Sequence, residues 1–269
     1  MAQRQETILP RTLGDLLSET FSIYGKHFWR FIGLVALVQL PLSLLGLIRG
    51  GGLATFIVFA VIAFLASIIV FGATVFAVGQ QYVSGEIKIR LSYRRGWNRI
   101  LTLALLTVIL LLVLVPALVV VSGVFWQISP PIAFVITLLA SVPFIAHWVL
   151  AVESVIFEGH KLGGALGRTF NLVREDLWRV YGVFLAIMLV SIGLAILITI
   201  PFAFASWVAA PEQATALSGA IQFLGSVVVT IAVPPVAFIG GTLLYYDLRV
   251  RKENYDFSIL SQEMGIAPA

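Results

Sequence analysis

There is no cysteine among the 269 residues. Disulfides, thiolate nucleophiles and cysteine-ligated zinc or iron–sulfur sites are therefore excluded. Charge is scarce as well. Asp, Glu, Lys and Arg make up 11% of the chain, against roughly 25% in a soluble domain. So few charges cannot cover a globular surface, and part of the solvent must be lipid. No polar stretch is long enough to fold alone, so residues 1–269 read as a single membrane domain. The patterns GxxxxGK[ST], HExxH and GxSxG are all missing. No loop carries a convincing acid/base pair, so catalysis has no support and no cofactor or metal site is expected. The first twenty residues lack an apolar h-region and a small-residue cleavage site. They do not read as a signal peptide, and the first apolar span is expected to be retained as an anchor.

What is abundant is hydrocarbon. The chain is 60% hydrophobic with a mean hydropathy of +1.04. A bilayer core about 30 Å thick needs about 20 apolar helical residues. Six stretches qualify: Phe31–Ile48, Leu53–Val78, Ile100–Val124, Ile132–Ala151, Val180–Trp207 and Leu217–Tyr246. Sixteen of the 17 Lys and Arg residues flank these spans on one side, and only Arg49 falls on the other. Positive charge stays cytoplasmic, so both termini are expected inside a multi-pass cell-membrane protein. The net charge of +4 is spread along these flanks, which does not predict nucleic-acid binding. Trp29, Trp97 and Trp178 each stand at the inner start of an odd-numbered span, and all seven tyrosines fall near the inner face. This is the placement of an interfacial aromatic belt.

The approaches to the odd spans are related. LGDLLSETFSIYGKHFWR, from Leu13, aligns without a gap to LGGALGRTFNLVREDLWR, from Leu162, with seven of 18 positions identical. Apolar residues recur in both at helical spacing. Thr12 and Asp15 have the spacing of a capping box. A shorter, more degenerate copy surrounds Ile87–Trp97. The predicted fold class is therefore all-α and polytopic: six transmembrane helices as three hairpins, each preceded by a cytoplasmic-side amphipathic helix. The pseudo-repeats cover about 12–83, 84–157 and 161–250, and residues 251–269 form a cytoplasmic tail. Each amphipathic helix either lies in the inner interface or packs under the bundle.

Polar groups inside the spans are few and costly. His147 and Glu153 lie in span four, but six positions of helix put them on different faces. Glu153 reads as an interfacial residue paired with a loop arginine, with an ion or proton site as the alternative. His147 reads as an interhelical hydrogen-bonder. Gln39 sits near the middle of span one, just before Pro41. Pro116, Pro143 and Pro234-Pro235 interrupt spans three, four and six, either as simple kinks or as the lining of a cavity. Gly46-x-x-x-Gly50 and Gly240-Gly241 permit close helix approach.

The last span ends in TLLYYDLRVRKENYDF, Thr242–Phe257. Tyr245 and Tyr246 are expected at the interface. Arg249, Arg251 and Lys252, with Arg94, Arg95, Arg168 and Arg174, are candidate contacts to anionic headgroups or to a partner membrane protein. The run LYYDLRVRKE with Tyr255-Asp256, and the opening RTLGDLLSETFSIYGKHFWRF, resemble a family of bacterial and archaeal membrane proteins. That family is similar to the membrane domain accompanying glycerophosphoryl diester phosphodiesterases. The resemblance implies a membrane module without the hydrolase, whose soluble barrel and metal ligands have no counterpart here. The leading expectation is a non-catalytic scaffold, regulatory or lipid-interacting module. A transporter or lipid-handling permease is the alternative, with an intramembrane enzyme behind it. A polar cavity reaching Gln39 or His147 would favour transport.

Overall fold

The computed structural model describes residues 11–47, 52–209, 216–253 and 257–265. Arg4, Arg49, Gly50 and the Tyr255-Asp256 pair lie outside the described residues. Within them the chain is all-α, with eleven helices and no strand. In order these are α1 (Leu13–Lys26), α2 (Phe28–Leu45), α3 (Leu53–Ser84), α4 (Ile89–Asn98), α5 (Ile100–Trp126) and α6 (Pro130–Phe157). Then follow α7 (Leu162–Val173), α8 (Leu177–Ala209), α9 (Ala216–Ala232), α10 (Pro234–Glu253) and α11 (Phe257–Met264). Six helical units are long and apolar enough to cross a membrane: α2, α3, α5, α6, α8 and α9 with α10 taken together. The chain thus has an all-α polytopic membrane fold. Helices α5 and α6 pack along each other, as do α8 and α9, and α2 meets α3.

The core is not centred along the spans. In α3 the buried residues run from Ile68 to Val83, whereas Leu53, Phe56 and Val58 are exposed. In α6 they crowd between Val149 and Phe157, and in α8 between Val180 and Ile187. Packing is therefore dense at the end where the basic residues cluster. At the other end the helices present apolar side chains outward, including Phe134, Leu197 and Phe204. Such a surface is unfavourable in water and ordinary against lipid tails.

The short helices pack on this dense end. The capping box of α1 forms: Thr12 Oγ1 accepts from the Asp15 amide at 3.2 Å, and Asp15 Oδ2 accepts from the Thr12 amide at 3.0 Å. The Thr12 hydroxyl, which donates to Asp15 Oδ2 at 2.7 Å, and then the Thr12 amide hold the Asp15 carboxyl below its usual range. Thr20 and Thr169, which pair in the sequence alignment, are both buried. Each bonds back one turn, to the Leu16 carbonyl at 2.7 Å and the Ala165 carbonyl at 3.0 Å. The next residues, Phe21 and Phe170, are both exposed. Helix α4 lies tight on α3 because position 96 is glycine. A Cβ there would stand 2.9 Å from the Ile69 carbonyl oxygen and 3.3 Å from the Ala73 amide nitrogen, backbone atoms that cannot step aside. Likewise a Cβ at Gly240 would stand 2.9 Å from Ile187 of α8, and one at Gly241 2.8 Å from Val149 of α6.

The last span is broken at Val233. Pro234 and Pro235 lack amide protons, and the Val236 amide turns back to the Val233 carbonyl at 3.1 Å. The Ala232 carbonyl is taken instead by the Tyr24 hydroxyl of α1 at 2.8 Å. Burial pushes the Tyr24 phenol up to about 12, so this donor keeps its proton. Beyond the break α10 is buried from Ile239 to Arg249.

Candidate functional site

The centre of the basic end is α10. Its Tyr245, Asp247, Arg249, Arg251, Lys252 and Glu253 reach six surrounding segments. Asp247 is sealed from solvent, yet accepts from the Arg11 amide at 2.6 Å, Arg179 Nη2 at 2.7 Å and Arg251 Nε at 3.0 Å. Three donors, two of them guanidinium groups, compensate this buried carboxylate. Arg11 continues the chain of contacts to Glu19 at 2.9 Å and to the Tyr82 hydroxyl at 3.2 Å.

A second cluster is built on a different set of α10 positions, Tyr245, Arg249 and Glu253, spaced four apart. Arg249 is 5% exposed and forks onto Glu263 of α11 at 2.8 and 2.9 Å. It also donates to Glu253 at 3.1 Å and approaches Glu158 to 3.8 Å. Arg168 of α7 bridges Glu158, at 2.9 Å, and Glu253. Burial alone would lower the Arg168 guanidinium, but its hydrogen bond to Glu253 and the charges around it outweigh that and raise it. The Tyr245 hydroxyl donates to Glu158. Arg95 of α4 donates to the Ile156 carbonyl at 3.0 Å and to the Glu263 carbonyl at 3.4 Å. Lys252 pairs with Glu175 at 3.1 Å.

These contacts revise several sequence expectations. Arg249, Arg168 and Arg95 are directed inward and hold helices together, so they do not form a headgroup-contacting surface. Arg251 and Lys252 are also engaged, although Arg251 remains at the surface. Tyr245 and Tyr246 are fully buried and do not anchor an interface. Arg94 and Arg174 are exposed, as are Lys26, Arg30, Lys88, Arg90 and Lys161. Among these stand Trp29, Trp97 and Trp178, at 80%, 63% and 90% exposure. Side chains this large and this open, each within a few residues of an exposed arginine, suit the boundary between headgroups and hydrocarbon.

No family model, curated protein or solved structure matches this chain.

Of the three polar residues predicted inside the spans, none joins another. Gln39 is half-buried on α2. Glu153 has no arginine partner among the described residues. It is wholly buried, with Oε2 unpartnered and Oε1 2.8 Å from Thr242 Oγ1. The same hydroxyl lies 2.9 Å from the Phe238 carbonyl. One hydroxyl proton cannot serve both acceptors, and a proton on the carboxyl satisfies the pair of contacts. His147 bonds within its own helix, Nδ1 lying 2.8 Å from the Pro143 carbonyl, and its ring stands between Phe170 and Tyr181. It also lines a groove of 350 Å³ between α5, α6 and α7, walled by Leu110, Val113, Phe144 and Trp148. No charged side chain lines this groove. Among the described residues, no three His or acidic groups are placed to hold a metal ion.

Sequence reasoning missed two acids of the frame, Glu158 and Glu263. Asp247 and Glu253 were legible as partners of the tail bases. Asp247–Arg251 and Arg249–Glu253 are i,i+4 pairs, readable on one helix. Glu158 comes from a segment far away in the chain and Glu263 from the next helix, and neither carried such a mark.

Proposed function

We propose that the protein is a non-catalytic integral module of the cell membrane. Its basic end faces the cytoplasm and contacts anionic headgroups of the inner leaflet. The observation that carries this reading is the belt of three exposed tryptophans set among exposed Lys26, Arg30, Arg90, Arg94 and Arg174. The inward ion pairs make the basic end rigid and leave a defined subset of cations to the lipid. The matching burial of α1 and α7 supports descent from a repeated hairpin unit, and the likeness of its two ends to the phosphodiesterase-associated membrane domains agrees with a module lacking a hydrolase. A role for this face in docking a partner membrane protein rests on the same exposed residues. The groove at His147 is apolar, which supports lipid contact over passage of a polar solute.

The test is lipid selectivity of the protein in mixed nanodiscs, read by spin-labelled phosphatidylglycerol against phosphatidylcholine. Neutralising Arg30, Arg94 and Arg174 to Gln removes about 1 kcal/mol of attraction per charge and abolishes the preference for the anionic lipid. An unchanged preference refutes the reading. For orientation, a phosphatase fused after Ala269 is inactive and one inserted within 211–215 is active; the opposite pattern refutes it.

A further inference from the structure

We propose that the groove between α5, α6 and α7 is a site for a single neutral membrane lipid with a free hydroxyl, of the diacylglycerol type, whose hydroxyl donates to His147 Nε2. This goes beyond the anionic belt and does not rest on it.

The occupant follows from hydrogen-bond accounting. The groove sits along membrane-crossing helices and its walls are Leu, Ile, Val, Pro, Phe and Trp side chains, so hydrocarbon fills it. The lining also includes three side chains that can hydrogen-bond. Trp148 Nε1 donates to Thr107 Oγ1 at 3.1 Å. Thr169 Oγ1 donates to the Ala165 carbonyl at 3.0 Å. His147 Nδ1 faces the Pro143 carbonyl, which can only accept, so Nδ1 carries the ring proton. The donors in the lining are therefore spent. In the neutral ring Nε2 keeps a lone pair with no partner among the described residues. A ligand matched to this groove must bring a donor and an apolar chain.

Charge narrows it further. No lysine or arginine lines the groove, so a phosphate placed there would be desolvated without compensation. A lipid alcohol satisfies both conditions, whereas an ester or ether without a free hydroxyl leaves Nε2 facing only acceptors. Exposed Phe170 flanks His147 at 5.6 Å between ring centres, and places α7 as the wall nearest the headgroup layer.

The experiment uses the full chain in phosphatidylcholine nanodiscs, with a diacylglycerol carrying a diazirine in its acyl chain. The control probe is the same molecule with its hydroxyl methylated. Cross-linked peptides are quantified by mass spectrometry. A net hydrogen bond of about 0.5–1.5 kcal/mol corresponds to about a twofold to twelvefold difference. The alcohol therefore labels α5, α6 and α7 about twofold to twelvefold more than the ether. His147→Phe brings the alcohol down to the ether's level, and Leu110→Trp, which fills the groove, removes both. Thermal unfolding identifies any variant that does not fold, and the alcohol–ether comparison on the unmodified protein decides alone if neither folds. Equal labelling by alcohol and ether overturns the proposal. So does labelling spread outside α5–α7, or competition by phosphatidic acid as effective as by unlabelled diacylglycerol. Loss of anionic selectivity in the preceding assay leaves this result untouched, so the two readings fail separately.

Discussion

Replacing Arg249 separates an internal strut from a lipid contact. The guanidinium is 5% exposed and serves three carboxylates: Glu263 through two bonds of 2.8 and 2.9 Å, Glu253 at 3.1 Å and Glu158 at 3.8 Å. Arg249→Met keeps most of the aliphatic stem and removes the guanidinium, its charge and its donors together. Glu158 and Glu253 then share Arg168, and Glu263 loses both bonds that tie α11 to α10. Breaking one side of a buried pair costs about 3–5 kcal/mol. Glu263 and Glu253 retain 20% and 28% exposure, and water reaching them places the cost near the lower limit, about 3 kcal/mol. Unfolding of the purified protein in mixed micelles by a graded denaturing detergent measures it. Adding Glu263→Gln to Arg249→Met removes one of the stranded charges. The double variant is then more stable than the sum of the single losses predicts, by about 1 kcal/mol or more in a double-mutant cycle. Arg94→Met, at an exposed position, changes stability by less than about 0.5 kcal/mol. An Arg249→Met loss as small as that of Arg94→Met refutes the strut.

Three further outcomes follow from named contacts. Glu153→Gln keeps shape and hydrogen bonding at a position where a neutral carboxyl satisfies the contacts, so the same unfolding assay shows a change under about 1 kcal/mol. Glu153→Ala costs about 2 kcal/mol or more through the cavity and the lost bond, and equal losses for the two variants refute the neutral state. Gly96→Ala drives a methyl group to within 2.9 Å of the Ile69 carbonyl. It costs about 1–3 kcal/mol, with faster hydrogen exchange in α4; unchanged exchange refutes the close-approach argument. His27 sits between α1 and α2 with Nε2 buried and unpartnered, and burial, then Arg30 and Lys26, hold its pKa below 6.5. The unfolded chain therefore binds the extra proton first. Stability falls as pH drops from about 6.5 through the lower folded value and levels off beneath it. His27→Asn flattens that stretch of the profile, and an unaltered slope refutes the assignment.

The fold was legible because its signals are local. Each span announces itself by length and hydropathy, and Ile100–Val124 in the sequence becomes Ile100–Trp126 in the structure. The capping box at Thr12 also depends on residues near in the chain, and the Gly240-Gly241 pair marks a close approach even though the side chains it meets, Ile187 and Val149, come from other helices. The cation roles were less legible. Arg94 and Arg249 carry the same charge beside similar apolar runs, yet one is open and the other is enclosed by acids. The difference is made by Glu158 and Glu263, which arrive from other helices, and by the burial of α10. Hydropathy cannot register that burial, because Tyr245, Asp247 and Arg249 look like the polar end of a span. The groove was illegible for a related reason. His147 and Pro143 are neighbours in sequence, but the walls come from α5 and α7.

The break at Val233 connects these features. An unbroken α9–α10 would be 38 residues long, about 57 Å at 1.5 Å per residue, nearly twice the hydrocarbon thickness. A straight helix of that length would carry Asp247, Arg249 and Glu253 away from the other helices into solvent, where their pairings would be worth little. Pro234-Pro235 allow the chain to change direction, and Tyr24 covers the carbonyl at the break. The first amphipathic helix therefore stabilises the bend that brings α10 into the centre, and α10 in turn holds Arg11, at the start of that helix, through Asp247. The two contacts, Tyr24 to Ala232 and Arg11 to Asp247, lie at opposite ends of α1. Together they make its position on the bundle a condition for the buried ion pairs, which is why α1 packs against the protein along one face and leaves Phe21 and Lys26 exposed.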